Sequence, residues 1–318
     1  MKKLGLFFGG VSTEHSISIL SAQNIYQSIK DIYDVHLFVV DKNFKIRLVD
    51  EFPEEEEIEF IDDEPNLPSP ELEIMQEMDY IFSVVHGKNG EDGTMQGLFN
   101  SLGLNSIYES IVAQAISSDK DLAKRIARSI GIETLEGNVL YSQEDMEQDY
   151  LNFPVFIKPA NSGSCIGISK VKRAKDVKLA LEEAFLNDSK VLLEKYKSVR
   201  ELACAYFCGE ISEIVEVIPS NEYFDYESKY FSDNTTISIP AQVGEDIKEK
   251  VSNYTRDLAK AIGLKKMGIF EYFLDEEGIL YFNEINTTPG FTSNSIYEKA
   301  LEKMGYDLKE VIEKLLNR

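Results

Sequence analysis

The sequence predicts an α/β protein that opens with a doubly wound parallel-sheet domain, and three observations carry that prediction. An apolar strand, LGLFF (Leu4–Phe8), runs into Gly9-Gly10; a helical segment follows; then a second apolar strand, VHLFVV (Val35–Val40), begins. Strand, glycine turn, helix, strand is the order in which a parallel sheet is wound, because a crossover must carry the chain back before the next strand starts. YIFSVV (Tyr80–Val85) reads as a third strand, running into the polar loop HGKNGEDG. At ~100–200 residues per folding unit, a chain of 318 residues has room for more than this one domain.

The elements follow in order. Ser12 or Thr13 is placed to cap a helix reaching about Ile29, with Ile17, Leu20, Ala22 and Ile25 among its apolar positions. Between the second and third strands, Pro53, Pro65, Pro68 and Pro70 punctuate an acidic stretch that reads as a decorated surface loop or hairpin. A second unit begins near Glu109. There SSDKDLAKRIARSIG is helical to Gly131, and strands follow at Val155–Lys158, Ile168–Val171 and Val191–Lys195, with a helix (Ala174–Leu186) between the last two. A third unit begins near Ser198, with RELACAYF, EIVEVI, a polar loop (Asn221–Asn234) and a helix (Gly244–Ile262). Two strands, Gly268–Leu274 and Ile279–Asn283, are joined by Asp-Glu-Glu-Gly, and a helix (Leu308–Leu316) closes the chain. The expected division is 1–108, 109–197 and 198–318.

Composition narrows the function. With 43% hydrophobic and 28% charged residues the chain is of the soluble globular class. No apolar run approaches the ~20 residues that span a bilayer, so no membrane partner is expected. The start MKKLGLFFGG resembles a signal peptide, but its apolar run breaks at glycine too soon for an h-region. It reads as a first strand, and the protein as cytoplasmic. The net charge is −23, and Leu48–Gly87 contains no Lys or Arg. Nucleic-acid binding needs a local basic surface, so no nucleic-acid partner is expected; the acidic block reads as a solvated face. Cys165, Cys204 and Cys208 lack CxxC spacing, which fits free thiols in a reducing compartment. His15, His36 and His86 form no HExxH, which argues against zinc.

The chemistry-bearing segments lie further along. There is no GxxxxGK[ST], and no GxGxxG follows the first strand, so only the Gly9-Gly10 turn speaks for a dinucleotide enzyme. In IKPANSGSCIGISKV a strand delivers Lys158, and Gly163, Ser164, Cys165 and Gly167 form a small-residue loop. Its N–H groups could approach phosphate oxygens closely; taken alone, such a loop is more often an ordinary strand connection. Strand alternation puts Met267, Ile269, Glu271 and Phe273 on one face, and Glu284 and Asn286 share a face across the turn. Glu271, Glu284 and Asn286 would make a Mg²⁺ platform, since Mg²⁺ takes a few protein oxygens plus substrate phosphates; the bland alternative is two solvent-facing acids. NTTPGFTSNS then supplies a glycine turn and hydroxyls suited to a carboxylate or oxyanion.

Taken in order, FFGGVSTEHSIS, HGKNGEDGTMQGLF, SSDK, FPVFIKPANSGSCIGISKV, LLEKY followed by REL, FDYESKY, IPAQV and FNEINTTPGFTSNS resemble the D-alanine–D-alanine ligases of the ATP-grasp superfamily. The match covers nearly the whole chain. It implies an N-terminal substrate-binding domain followed by a two-subdomain ATP-grasp fold, with ATP between the subdomains. It also implies a homodimer, Mg²⁺ (two ions, with Mn²⁺ an alternative) and a role in peptidoglycan precursor synthesis. Residue by residue, Lys120 and Lys158 match lysines on ATP phosphates, Glu194 and Glu201 match acids at the adenine end and ribose, and Glu271, Glu284 and Asn286 match the magnesium ligands. Glu14 matches the residue holding the first D-alanine's ammonium, His86 a first-substrate contact, Ser295 a second-substrate carboxylate contact and Lys229 a phosphate contact. Tyr230, Ser164 and Glu14 match a hydrogen-bonded trio that ties a mobile loop over the site, and Gly290 supplies an oxyanion-facing N–H. The resemblance also places Ser164 and Cys165 against ATP.

The sequence departs from the family in three places. The family's strand carries Arg two residues before an Asp metal ligand; here those positions read Ile269 and Glu271. Losing an oxyanion donor costs roughly 10²–10³ in rate. Cys165 stands where Ser is usual, and SIYESIVAQ lacks a glycine-rich turn. Two readings follow: an active ligase whose acceptor is an amino acid, since Tyr230 stands where D-lactate-using members have His, or a degenerate paralogue that binds nucleotide and ligates poorly.

Overall fold

The computed structural model describes residues 1–53, 65–146, 152–163, 166–218 and 236–317. Three sheets organise them. In the first, β1 (Lys2–Gly9) lies between β2 (Tyr33–Val40) and β4 (Tyr80–Ser83), parallel to both, and β3 (Ile46–Val49) pairs antiparallel with β2. The acidic stretch is thus more than a loop: it contributes β3 and, after Pro68, the helix α2 (Ser69–Gln76). Residues 54–64, between Pro53 and Pro65, lie outside the described residues. Gly9 and Gly10 have φ of 91° and 106°. A Cβ at Gly9 would sit 2.3 Å from the Val40 carbonyl oxygen, and one at Gly10 2.5 Å from a Val85 methyl. Close packing at the strand end therefore explains the glycine pair without a dinucleotide.

The helix after that turn, α1 (His15–Ile29), begins later than the sequence suggests, with Glu14 at the N-cap position and no side-chain cap. Ser12 lies two residues before that position; its hydroxyl donates to the His86 carbonyl (2.9 Å) and accepts from the Glu14 N–H (3.2 Å), so it ties the turn down and does not cap the helix's first turn. Leu20 is 51% exposed. Ile17, Ile19, Ala22 and Ile25 face inward with Ser18, whose hydroxyl donates to the Val84 carbonyl at 2.6 Å. After α3 (Thr94–Ser101), the helix expected over SSDKDLAKRIARSIG starts later, as α5 (Lys120–Ser129), and its first two residues instead end a preceding helix that the sequence did not announce, α4 (Ile111–Ser118). Asp119 breaks them: its backbone is extended, and its carboxylate accepts from the N–H groups of Asp121 and Leu122, capping α5.

The central sheet runs β5-β8-β6-β7, from β5 (Gly137–Leu140), β6 (Val155–Pro159), β7 (Ser169–Val171) and β8 (Val191–Lys195), with α6 (Val177–Asn187) packed on it. The third sheet contains β9 (Val199–Phe207), β10 (Glu210–Ile211), β11 (Val215–Ile218), β12 (Thr236–Ser238), β13 (Met267–Asp275) and β14 (Leu280–Asn286). Its order is β12-β11-β9-β13-β14, with β10 on β9. Between β12 and β13 lies α7 (Glu245–Ile262), ended by Gly263 at φ 73°. Alternation splits β13: Phe270, Tyr272 and Leu274 enter a core with α5 and α7, while Met267 and Ile269 face the core shared with β1 and α1. The chain ends in α8 (Ile296–Lys303) and α9 (Leu308–Leu316), the latter closed by an Asp307/Glu310 capping box. Glu109 ties the first sheet's side to the third, its carboxylate accepting from the N–H groups of Lys265, Lys266 and Met267.

Candidate active site

The β13–β14 hairpin sets the floor. Glu271 lies directly opposite Glu284, and Ile269 opposite Asn286, so all four share one face, as alternation requires. A register shift follows between Glu271 and Tyr272. Glu201, opposite Phe273 on β9, continues the same face. Beside the outer end of β14, Lys120 at the start of α5 reaches Glu284 Oε2 (3.0 Å) and donates to the Ser162 carbonyl (2.7 Å). That contact seats the loop after β6 above the carboxylates. Glu14 reaches the same loop from the start of α1: a Cβ at Gly163 would lie 2.7 Å from Glu14 Oε2. The cleft is lined by Glu14, Glu91, Lys120, Glu271, Glu284 and Asn286 among others.

The remaining side chains close in from two sides. His86 Nδ1–H donates to the Thr288 carbonyl (3.0 Å), which draws the end of the first sheet onto the loop after β14. In that loop Ser295 Oγ accepts from the Thr292 N–H (3.0 Å), and a Cβ at Gly290 would stand 2.9 Å from it. Deeper, Lys158 on β6 and Lys124 on α5 both bind Glu194 on β8; Lys158 Nζ stands 2.5 Å from Glu194 Oε2. Burial and the Lys158 ammonium lower Lys124 to about 8, against the pull of Glu194. Burial would raise Glu194, but the two ammoniums overcome it and hold it at about 2.

The structure thus brings together Glu14, His86, Lys120, Glu271, Glu284, Asn286, Gly290 and Ser295, with Lys158 and Glu194 as a buried group behind. Ser164, Cys165, Lys229 and Tyr230 lie outside the described residues, as does the loop Asn221–Asn234. Sequence reasoning missed Lys124, although a lysine four residues after Lys120 shares its helix face. It also missed Glu91. Ile269 is 6% exposed in a cluster with Ala203, Ala205 and Phe291. Lys266, near it in sequence, donates instead to the Ser106 carbonyl (2.9 Å), so it does not replace a guanidinium there.

The donor set suits a hard divalent cation: Glu271 and Glu284 offer carboxylate oxygens, and Asn286 Oδ1 is oriented by the Thr288 N–H (2.8 Å). No group of three His, Cys, Asp or Glu able to hold a metal occurs among the described residues. Phosphate oxygens would have to complete the shell, as they do where Mg²⁺ is bound with a nucleotide.

Two family descriptions match the chain: D-ala D-ala ligase N-terminus over residues 3–107 and D-ala D-ala ligase C-terminus over residues 127–317. This chain belongs to the D-alanine–D-alanine ligase family. Among the family's curated members, the D-alanine–D-alanine ligase of Caldicellulosiruptor bescii is 36% identical over 99% of this chain and 94% of its own length. That of Oceanobacillus iheyensis is 33% identical with the same coverage. Among solved structures, the VanG D-Ala:D-Ser ligase from Enterococcus faecalis superposes with a TM-score of 0.82 at 27% identity, covering 99% of this chain and 98% of that one. The ligase family's ATP-grasp fold is therefore the fold of this chain.

Proposed function

We propose that this chain is an ATP-dependent ligase that joins two D-alanines for peptidoglycan precursor synthesis, through an acyl phosphate on the first. The observation that carries it is the Glu271/Glu284/Asn286 face meeting Lys120, the Ser162–Gly163 loop and Glu14 in one cleft. A carboxylate is a poor acyl electrophile at neutral pH, so the first amino acid takes the γ-phosphoryl group of ATP before the second amine attacks. Mg²⁺, held by Glu271, Glu284 and Asn286, would offset phosphate charge. Lys120 and Lys158 add fixed positive charge, Glu14 receives the first substrate's ammonium, and His86 contacts the same substrate. Glu194 and Glu201 face the nucleoside. The Gly290 N–H donates to the oxyanion, and Ser295 holds the second carboxylate. The remaining roles fall to Ser164, Cys165, Lys229 and Tyr230, with Tyr230 and Ser164 linking the covering loop to Glu14 so that water is kept from the acyl phosphate.

The reading divides the chain at 1–108, 109–197 and 198–318 and takes it as a cytoplasmic homodimer; no helix among the described residues is long and apolar enough to cross a membrane. Sedimentation at micromolar concentration checks the dimer, and a monomer there counts against it. The test of function is a panel of D-alanine, D-serine, D-lactate and L-amino acids with Mg·ATP, read by phosphate release and product mass. Amide product from D-alanine is expected. Product only from D-lactate or L-amino acids would overturn the substrate assignment, and nucleotide binding without any product would favour the degenerate paralogue.

A further inference from the structure

We infer that Lys124 is a positioning residue for the nucleotide half of the site: by holding one oxygen of Glu194 it frees Lys158 to exchange the other for a phosphate. This rests on the ligase reading above. The geometry is a buried triad. The side chains of Lys124, Glu194 and Lys158 are 2%, 4% and 8% exposed, and the two ammoniums take different oxygens of one carboxylate. Among the described residues Lys158 makes a further hydrogen bond, a long one of 3.5 Å to Asn283 Oδ1 on β14. The three charges come from different structural parts. Glu194 and Lys158 sit on adjacent strands of the central sheet, whereas Lys124 is on α5, which packs through Ala123 and Ala127 on the third sheet.

The consequence is electrostatic. A single buried carboxylate with one ammonium is a closed pair, and pulling the ammonium away strands an unpaired charge out of water. With two ammoniums the cluster carries an excess positive charge. Lys158 can then swing to a phosphate while Lys124 keeps Glu194 neutralised. Lys124 also fixes Glu194 between the two sheets, so the acid that faces the nucleoside stays in register with the carboxylates of β13 and β14.

The experiment measures ADP affinity in Mg²⁺ by calorimetry, together with KM for ATP, KM for D-alanine and kcat, for wild type, Lys124→Met, Lys124→Arg, Glu194→Gln and the Lys124→Met/Glu194→Gln double variant. Stranding a buried charge is worth roughly 10²–10³-fold. Lys124→Met should therefore weaken ADP binding and raise KM for ATP at least ~10-fold, while KM for D-alanine and kcat at saturating ATP move less than about threefold. Lys124→Arg should recover part of the loss. In the Glu194→Gln background, Lys124→Met should add less than about twofold, because a neutral amide needs no counter-ion. Equal losses in kcat and both KM values, or effects of the two substitutions that multiply, would overturn the proposal. If Lys124→Met fails to fold, Lys124→Arg and the double variant still decide it. Because ADP affinity needs no turnover, wild-type binding without ligation would sink the function while the Lys124 assignment is scored separately. Absence of ADP binding by wild type would sink both.

Discussion

Replacing Glu271 by Gln should stabilise the metal-free protein while disabling it. Glu271 and Glu284 are directly opposite across an antiparallel pair, which puts their Cβ atoms about 4.5–5.5 Å apart. Two unit charges ~5 Å apart in an environment between protein surface and water repel by about 1–2 kcal/mol. Lys120, 3.0 Å from Glu284, offsets part of this and is untouched by the substitution. The expected gain in chelator is about 1 kcal/mol, or roughly 1–3 °C in a chain of this length. With Mg·ATP the order reverses. Wild type gains about 2.7 kcal/mol at a hundredfold excess over Kd, and the variant loses most of that gain along with ~10²-fold or more in turnover. Differential scanning fluorimetry in EDTA and in Mg·ATP, beside phosphate release with D-alanine, measures both. A variant that Mg·ATP stabilises as much as wild type, or one that turns over normally, would refute the pairing of these carboxylates as a cation platform.

Three further outcomes are expected. Gln114 on α4 is fully buried, and neither amide atom has a hydrogen-bond partner among the described residues; Gln114→Leu should therefore raise stability by about 1–3 kcal/mol in urea unfolding, and a loss would show the amide to be bonded. Gly163→Ala places a Cβ 2.7 Å from Glu14 Oε2; displacing that carboxylate should raise KM for D-alanine about tenfold with little change in KM for ATP, and the reverse split would move Glu14 off the amino-acid site. Glu194 titrates at about 2 in the fold, below the ordinary 4.5, so the stability it contributes is complete above pH 4.5 and is lost as pH falls toward 2. Glu194→Gln should flatten that acid limb in pH-dependent unfolding, and an unchanged limb would mean other carboxylates set it.

Legibility in the sequence followed the strength of local pattern. The β13–β14 hairpin and its shared face were readable because alternation is a rigid rule and Asp275-Glu276-Glu277-Gly278 is a turn on its own; Gly278 has φ 79° and Asp275 Oδ1 accepts from Ile279 N–H (2.8 Å). The helix α9 was readable to the residue because Asp307 and Glu310 cap each other. What was missed lacked such signals. β3 and β5 are strands of only four residues, too short for alternation to show, and α8 is hidden behind a motif that draws attention to its hydroxyls. The break at Asp119 follows from its side chain capping the next helix, a choice that depends on Lys190 and the Ala160 carbonyl meeting this turn from the central unit. Lys124 was passed over because a helical lysine is ordinarily solvated, and only the tertiary meeting with Glu194 buries it.

The pair Ile269 and Glu271 makes sense together once the face is seen whole. Ile269 packs with Ala203, Ala205 and Phe291, so the position beside the carboxylates is an apolar wall, and Lys266 points away to Ser106. A guanidinium there would have added positive charge to this face as well as a donor to the reacting oxyanion. Without it, the cleft is lined by the acids Glu14, Glu91, Glu271 and Glu284 against Lys120 among the described residues. Among the described residues, neutralising the triphosphate then falls on Lys120 and on the excess charge of the Lys124–Glu194–Lys158 cluster, beside Lys229 in its proposed phosphate role and the cation that Glu271 and Glu284 would hold. Such a site depends more steeply on its divalent ion than one with a built-in arginine, because each charge missing from the protein must arrive with the nucleotide. Family membership fixes the fold and the class of bond made; the charge lining this cleft governs how fast that bond forms.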